Sequence, residues 1–187
     1  MESCCTVGEA AQPAPTHCPQ CGKAGRSVER ITVKALLRPE ALARLSAPAH
    51  RFCATPECPL VYFGREEIFD REDLTVAVFQ KESPGARIVC YCFGITEQDI
   101  RRELVETGHS SASERITALV KAERCACEVR NPQGSCCLGN VADATKALRT
   151  ALEEEQRLSI AHEKVGMEAA SGLEPESRGL AEQGDFN

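Results

Sequence analysis

Twelve cysteines in 187 residues, most of them in short-spaced pairs, restrict what this chain can fold into more than any other feature. Thiols at this density form either a disulfide framework or a set of metal ligands, and the compartment decides which. The opening stretch MESCCTVGEAAQPAP has no basic segment followed by an apolar run, and no stretch of the chain approaches the length of a membrane span. This predicts a cytoplasmic chain with reduced thiols, where metal is the expected use of cysteine. The hydrophobic content of 42% includes only 4% aromatic residues, so the cores are modest and metal staples would compensate for them.

The spacing of turn residues and the hydrophobic period divide the chain into parts. Residues 1–16 are small, polar and punctuated by proline, and are expected to be a flexible lead-in. From HCPQCG to Pro84 the residues predict a small β-rich unit, 17–84. SVERITVKALL is expected as a strand, RPEALARL as a short helix with Pro39 in its first position, HRFCATPECPLVYFG as two strand ends meeting at a tight turn, and REEIF and LTVAVFQ as further strand material. Ser83-Pro84-Gly85 is the expected linker.

The period then becomes helical over 88–152. Thr96 followed by Asp99 reads as a capping box, Ile100, Leu104 and Val105 share a face, and Gly108 is a stop. A second helix is expected over Ser113 to Glu123 with Ile116, Leu119 and Val120 inward. A third starts near Leu138 with Val141, Leu148 and Leu152 in its stripe. Residues 153–187 read as an acidic helical extension running into a disordered tail. From Ala151 onward nine acidic and three basic side chains carry the whole net charge of -6. The neutral remainder lacks the clustered basic face that nucleic acid requires, so no nucleic-acid and no membrane partner is expected.

Cys18-Pro-Gln-Cys21 and Cys53-Ala-Thr-Pro-Glu-Cys58 are two knuckles separated by 31 residues. Each points two thiolates at one ion, and together they make a tetrahedral four-sulfur site that suits zinc. A closed site of this kind leaves no position for water, so its expected role is structural. His17 and His50 lie near enough in sequence to substitute as ligands.

The second set behaves differently. Cys90-Tyr-Cys92 can ligate one iron or grip a metal pair from one loop, and irregularly spaced thiolates are typical of iron-sulfur clusters. Downstream, CACEVRNPQGSCCLGN offers Cys125, Cys127, Cys136 and Cys137 around an Asn-Pro-Gln-Gly turn.

The CYCFGIT motif, a helix-loop-helix and cysteines directly before another helix resemble the bacterioferritin-associated ferredoxin-like (BFD-type) 2Fe-2S domain, which is also found centrally in NifU. Together with CPQCG and FCATPECPLVYFG, residues 18 to about 150 resemble the N-terminal part of CopZ-type copper chaperones, which carries a zinc site and a 2Fe-2S cluster. The implied fold is α+β: a small β-rich zinc-binding domain followed by an all-helical BFD-type domain. The family closes its cluster site with C-x-x-C, whereas this chain spreads the second pair across CACEVRNPQGSCC. Cys90 and Cys92 are common to every version of the site. Cys137 is taken as the fourth ligand because it precedes a helix in register. Cys127 is preferred to Cys125 as the third because it leaves the shorter loop to close. Cys125 and Cys136 remain as reserve thiols.

No paired carboxylates, Ser/His/Asp set, P-loop or dinucleotide glycine pattern marks a substrate pocket. The expected job is one-electron transfer linked to copper or other heavy-metal handling, acting on a metal ion or a redox partner protein. The alternative is a non-redox module that binds metal or assembles and transfers iron-sulfur clusters. The family's C-terminal heavy-metal-associated domain, with its M-x-C-x-x-C loop, is missing from this sequence. Cys4 and Cys5 form a further thiol pair able to capture a soft ion.

Overall fold

The structure is a computed structural model that describes residues 15–171, with side chains through 162. The expected lead-in up to residue 14, Cys4 and Cys5 within it, and the expected tail from 172 lie outside the described residues. Contacts divide the chain into a first unit ending at Arg149 and a second beginning at Thr150.

Within the first unit a four-stranded antiparallel sheet runs in the order β1 (Arg26–Val28), β2 (His50–Phe52), β3 (Leu60–Phe63) and β4 (Ile68–Asp70). Phe52 pairs with Tyr62, and Arg51 with Phe63. All four residues of β3 are buried, which is why LVYF reads as a continuous apolar run rather than an alternating one. Between β1 and β2 lie α1 (Arg30–Leu36) and α2 (Pro39–Leu42), with Pro39 at the start of α2 as expected.

The stretch ITVKAL is helical rather than the expected strand. Its β-branched residues favour strands locally, but Thr32, Val33 and Leu36 fall on one helical face and are buried there. The LTVAVFQ stretch likewise does not become a strand. Leu74 and Val78 bury into the core, one isolated bridge joins Leu37 to Leu74, and the chain enters a 3-10 turn at Phe79–Lys81.

A two-stranded ribbon, β5 (Ile88–Cys90) with β6 (Ile95–Thr96), opens the next stretch, so the part expected to be all-helical begins on a hairpin. Gly94 at the end of its turn has φ of 66°, a left-handed conformation that a side chain would strain. Then come α3 (Glu97–Thr107), α4 (Ala112–Lys121), α5 (Cys127–Arg130) and α6 (Leu138–Ser171). The capping box at the start of α3 forms as expected: Asp99 N–H donates to Thr96 Oγ1, and Thr96 N–H donates to Asp99 Oδ2. Gly108 closes α3 in the left-handed conformation. Ile100, Leu104 and Ile116 are buried, whereas Val105 is 64% exposed, one position round the helix from the packed stripe.

The β-rich and helical parts pack together inside the first unit. Helix α1 lies against α5, and Tyr62 Oη, fully buried, donates to the Pro132 carbonyl at 2.8 Å. The second unit contains the continuation of α6 to Ser171, on which Leu158 and Ile160 are exposed. Among the described residues no helix is long and apolar enough to cross a membrane.

Candidate metal centres

The first cysteine set converges on one point. Cys18 lies in a tight turn in which its N–H donates to Lys23 O and Gly22 N–H returns to Cys18 O. Cys53 follows β2 directly, its N–H tied to Val61 O, and Cys58 N–H closes the second knuckle onto Thr55 O. The sulfurs of Cys18 and Cys58 are 3.8 Å apart and those of Cys21 and Cys53 3.7 Å, with all four within 4.8 Å of one another. Tetrahedral zinc with sulfur at about 2.3 Å has sulfur–sulfur edges of about 3.8 Å. The four thiols therefore fit zinc as they stand, enclosed against Leu60 and Phe63.

Neither histidine joins them. His17 is exposed and shares a hydrogen bond with Thr16, while His50 is buried against Glu67 at 2.6 Å.

The thiols are unequal. The hydrogen bond with the Thr55 hydroxyl pulls Cys21 down to about 6, whereas burial pushes Cys58 up to about 12 and raises Cys18 as well. An arriving cation would displace protons from Cys18 and Cys58, so binding releases protons. Lys81 sits beneath this site, 4% exposed, its Nζ donating to Thr55 O at 2.8 Å and Cys58 O at 2.9 Å. A zinc with four thiolates carries two negative charges, and this ammonium group is the buried counter-charge.

The second set makes two pairs instead of one point. Cys90 ends β5, and Cys92 lies in the hairpin turn. Cys127 is the first residue of α5, and Cys137 directly precedes α6, its carbonyl accepting from Val141 N–H. Cys92 and Cys127 sulfurs are 3.7 Å apart, and Cys137 is the neighbour that acts most strongly on the Cys90 thiol. Among the described residues only the first set draws three or more potential ligand atoms within 4.8 Å of one another. The second set thus offers two grips of two thiols each.

It is Cys127, not Cys125, that faces Cys92. Cys125 is half-buried and Cys136 exposed, and both lie outside the two pairs. The Ala126 N–H donates to Cys92 Sγ at 3.3 Å. The neighbouring Cys137 thiol pulls Cys90 down to about 6, and the nearness of Cys90, with burial, pushes Cys137 far up. Burial also raises Cys127.

The Asn131-Pro-Gln-Gly turn does bring the ends together, as its composition predicts. Gly134 N–H donates to Asn131 O, and Asn131 Nδ2 donates to Ser135 O at 2.7 Å. Sequence reasoning missed Lys81, Gln80 and Gln133 around these sites, because a lysine or glutamine whose partners lie tens of residues away leaves no local signal. A cleft of about 400 Å³, bordered by Arg26, Gln80, Gln133, Cys136 and Asp143, opens the neighbourhood of Cys136 to solvent.

Comparison with known proteins agrees with the first site. Residues 15–75 match the family model zf_CopZ, a zinc binding domain. The chain is 32% identical over 121 residues to the copper chaperone CopZ of Archaeoglobus fulgidus, an alignment covering 65% of this chain. It spans 57% of that relative's length. The X-ray structure of the Archaeoglobus fulgidus CopZ N-terminal domain superposes with a TM-score of 0.56 at 27% identity, covering 68% of this chain and 95% of that one. Residues 15–75 are a zinc-binding domain of the CopZ type.

Proposed function

We propose that this chain is an electron-transfer protein of heavy-metal handling, in which Cys18, Cys21, Cys53 and Cys58 hold a structural zinc and Cys90, Cys92, Cys127 and Cys137 hold a 2Fe-2S cluster. The observation that carries this reading is the contrast in sulfur geometry: one set of four meets at a point, whereas in the other Cys92 stands 3.7 Å from Cys127, with Cys137 acting on the buried Cys90 thiol beside them. Two pairs suit a unit of two metals, each needing two protein thiolates. When bound, such a cluster supplies exchange of one electron at a time.

The protein's own groups prepare that chemistry. Ala126 N–H donates to the Cys92 sulfur and so favours added negative charge nearby. The exposed amides of the first turn of α6 follow Cys137, placing the positive end of a long helix beside the same thiols. Cys90 and Cys137 are 1% exposed, and burial there excludes water, while Cys92 and the neighbouring Cys136 lie closer to the surface, where an acceptor would approach.

The name of the copper-chaperone relative points to copper as the metal handled. Cu(II) is then the natural electron acceptor, and the product Cu(I) is the soft ion that thiolates prefer.

The test is electron delivery. Protein purified without oxygen and reduced with dithionite, freed of excess reductant, should reduce about one equivalent of Cu(II) per chain, read by a Cu(I)-specific chelator, as the cluster's paramagnetic signal disappears. A protein that loses its cluster to an apo-acceptor and never cycles between oxidised and reduced forms would be a transfer module instead.

A further inference from the structure

One short turn touches both cysteine sets with three consecutive residues. Phe79 N–H donates to Tyr91 Oη at 2.9 Å, and Tyr91 stands between Cys90 and Cys92; its hydroxyl in turn donates to Ala77 O at 2.7 Å. Gln80 Nε2 donates to Gln133 Oε1 at 2.7 Å, an oxygen that also accepts from Asn140 Nδ2 at 3.2 Å. Gln133 Nε2 donates at 3.0 Å to Cys136 O, the carbonyl of the peptide that joins Cys136 to Cys137. Lys81 reaches the other way, to the Thr55 and Cys58 carbonyls of the first site's knuckle.

These bonds constrain one another. A buried ammonium cannot leave both carbonyls without becoming an unpaired charge in the interior, so Lys81 follows the knuckle. The 3-10 turn is too short to bend between Lys81 and Gln80, so Gln80 follows Lys81. Gln133 is buried, and with its oxygen held by Gln80 and Asn140 its amide nitrogen is aimed at Cys136 O.

We infer that the turn Phe79–Lys81 is a strap through which an occupied first site holds the 131–137 loop of the second, with Gln80 as its positioning residue. The consequence for a cluster rests on the function proposed above, whereas the consequence for the loop does not.

The experiment is hydrogen exchange on the full chain, zinc-loaded and free of iron, comparing wild type, wild type after zinc chelation, and Gln80→Ala with zinc bound. Gln80 is only partly buried, so the variant retains its fold. Chelation should speed exchange across 131–137. Gln80→Ala should do the same with zinc still in place, by roughly fivefold, the effect of one hydrogen bond on a local opening equilibrium, while amides 53–58 and 97–121 stay protected. Equal exchange at 131–137 in wild type and Gln80→Ala, both with zinc, would overturn the inference, even if chelation unfolds the whole chain. In cluster-loaded protein the variant should also show an altered paramagnetic spectrum with unchanged zinc content. A chain that takes no cluster would sink the electron-transfer reading and leave the exchange comparison to decide this one.

Discussion

The two cysteine sets differ in how the backbone presents them. The first is carried by two tight knuckles at the edge of a sheet, with four sulfurs drawn to one point and Leu60 and Phe63 packed against them. The second is carried by a hairpin turn and the starts of two helices, with sulfurs in two pairs and two further thiols alongside, one of them exposed. A closed site built from knuckles can be inert and structural, and an open-sided one at helix starts can exchange charge with a neighbour. The difference teaches that thiol count alone does not assign a role; the element that delivers each thiol does.

The largest expected effect separates the two sites directly. Cys58→Ser should lose both zinc and the four-stranded sheet, because a structural zinc contributes about 10–16 kcal/mol and a whole domain is stable by only about 5–15 kcal/mol. Cys137→Ser should keep zinc and sheet and lose iron. Metal analysis with far-ultraviolet circular dichroism reads both outcomes, and a zinc-containing, folded Cys58→Ser protein would break the contrast.

Next in size is the choice of ligand within the second site. Cys127→Ser should abolish iron incorporation and Cys125→Ser should leave it nearly intact, since it is the Cys127 sulfur that lies 3.7 Å from that of Cys92. Iron and sulfide analysis of the two variants decides it.

Lys81→Met sharpens the description of the first site. It leaves the Thr55 and Cys58 carbonyls without their donor and should cost about 2–3 kcal/mol in urea unfolding of the zinc-loaded protein.

The smallest effect is in acid. Against the upward push of burial, the Arg87 and Arg115 ion pairs hold Glu97 and Glu103 below the usual carboxylate range, and the Thr96 hydroxyl does so for Asp99. In the β-rich part Glu67 is lowered, against burial, by Ser46, His50 and Ala47. Carboxyls depressed on folding contribute stability above their unfolded pKa, and that stability fades as pH falls through the lower folded value. With three such groups, α3 and α4 should loosen before the sheet as zinc-loaded protein is taken below about pH 4, which residue-resolved exchange would show.

Much of this was legible in the sequence, for identifiable reasons. Short cysteine spacings dictate knuckles, and Thr96, Asp99 and Gly108 encode the two ends of α3 locally, so those features were readable. ITVKAL was not, because its strand propensity is overridden by the burial of Thr32, Val33 and Leu36 against the rest of the fold. Val105, expected on the packed face of α3, is exposed, since position along a helix does not reveal how wide the neighbouring surface is. The pairing of Cys92 with Cys127 and the contacts of Gln80 and Lys81 join residues 23 to 53 positions apart, and no local pattern records them.

The most direct measurement is zinc, iron and acid-labile sulfide analysis of the full chain purified without oxygen, combined with paramagnetic resonance before and after dithionite. Two distinct sites predict zinc at one per chain, iron and sulfide in equal amounts at about twice the zinc, and a signal that appears on reduction while zinc stays bound. A folded, colourless protein that holds zinc but no iron or sulfide, and stays silent on reduction, would contradict it.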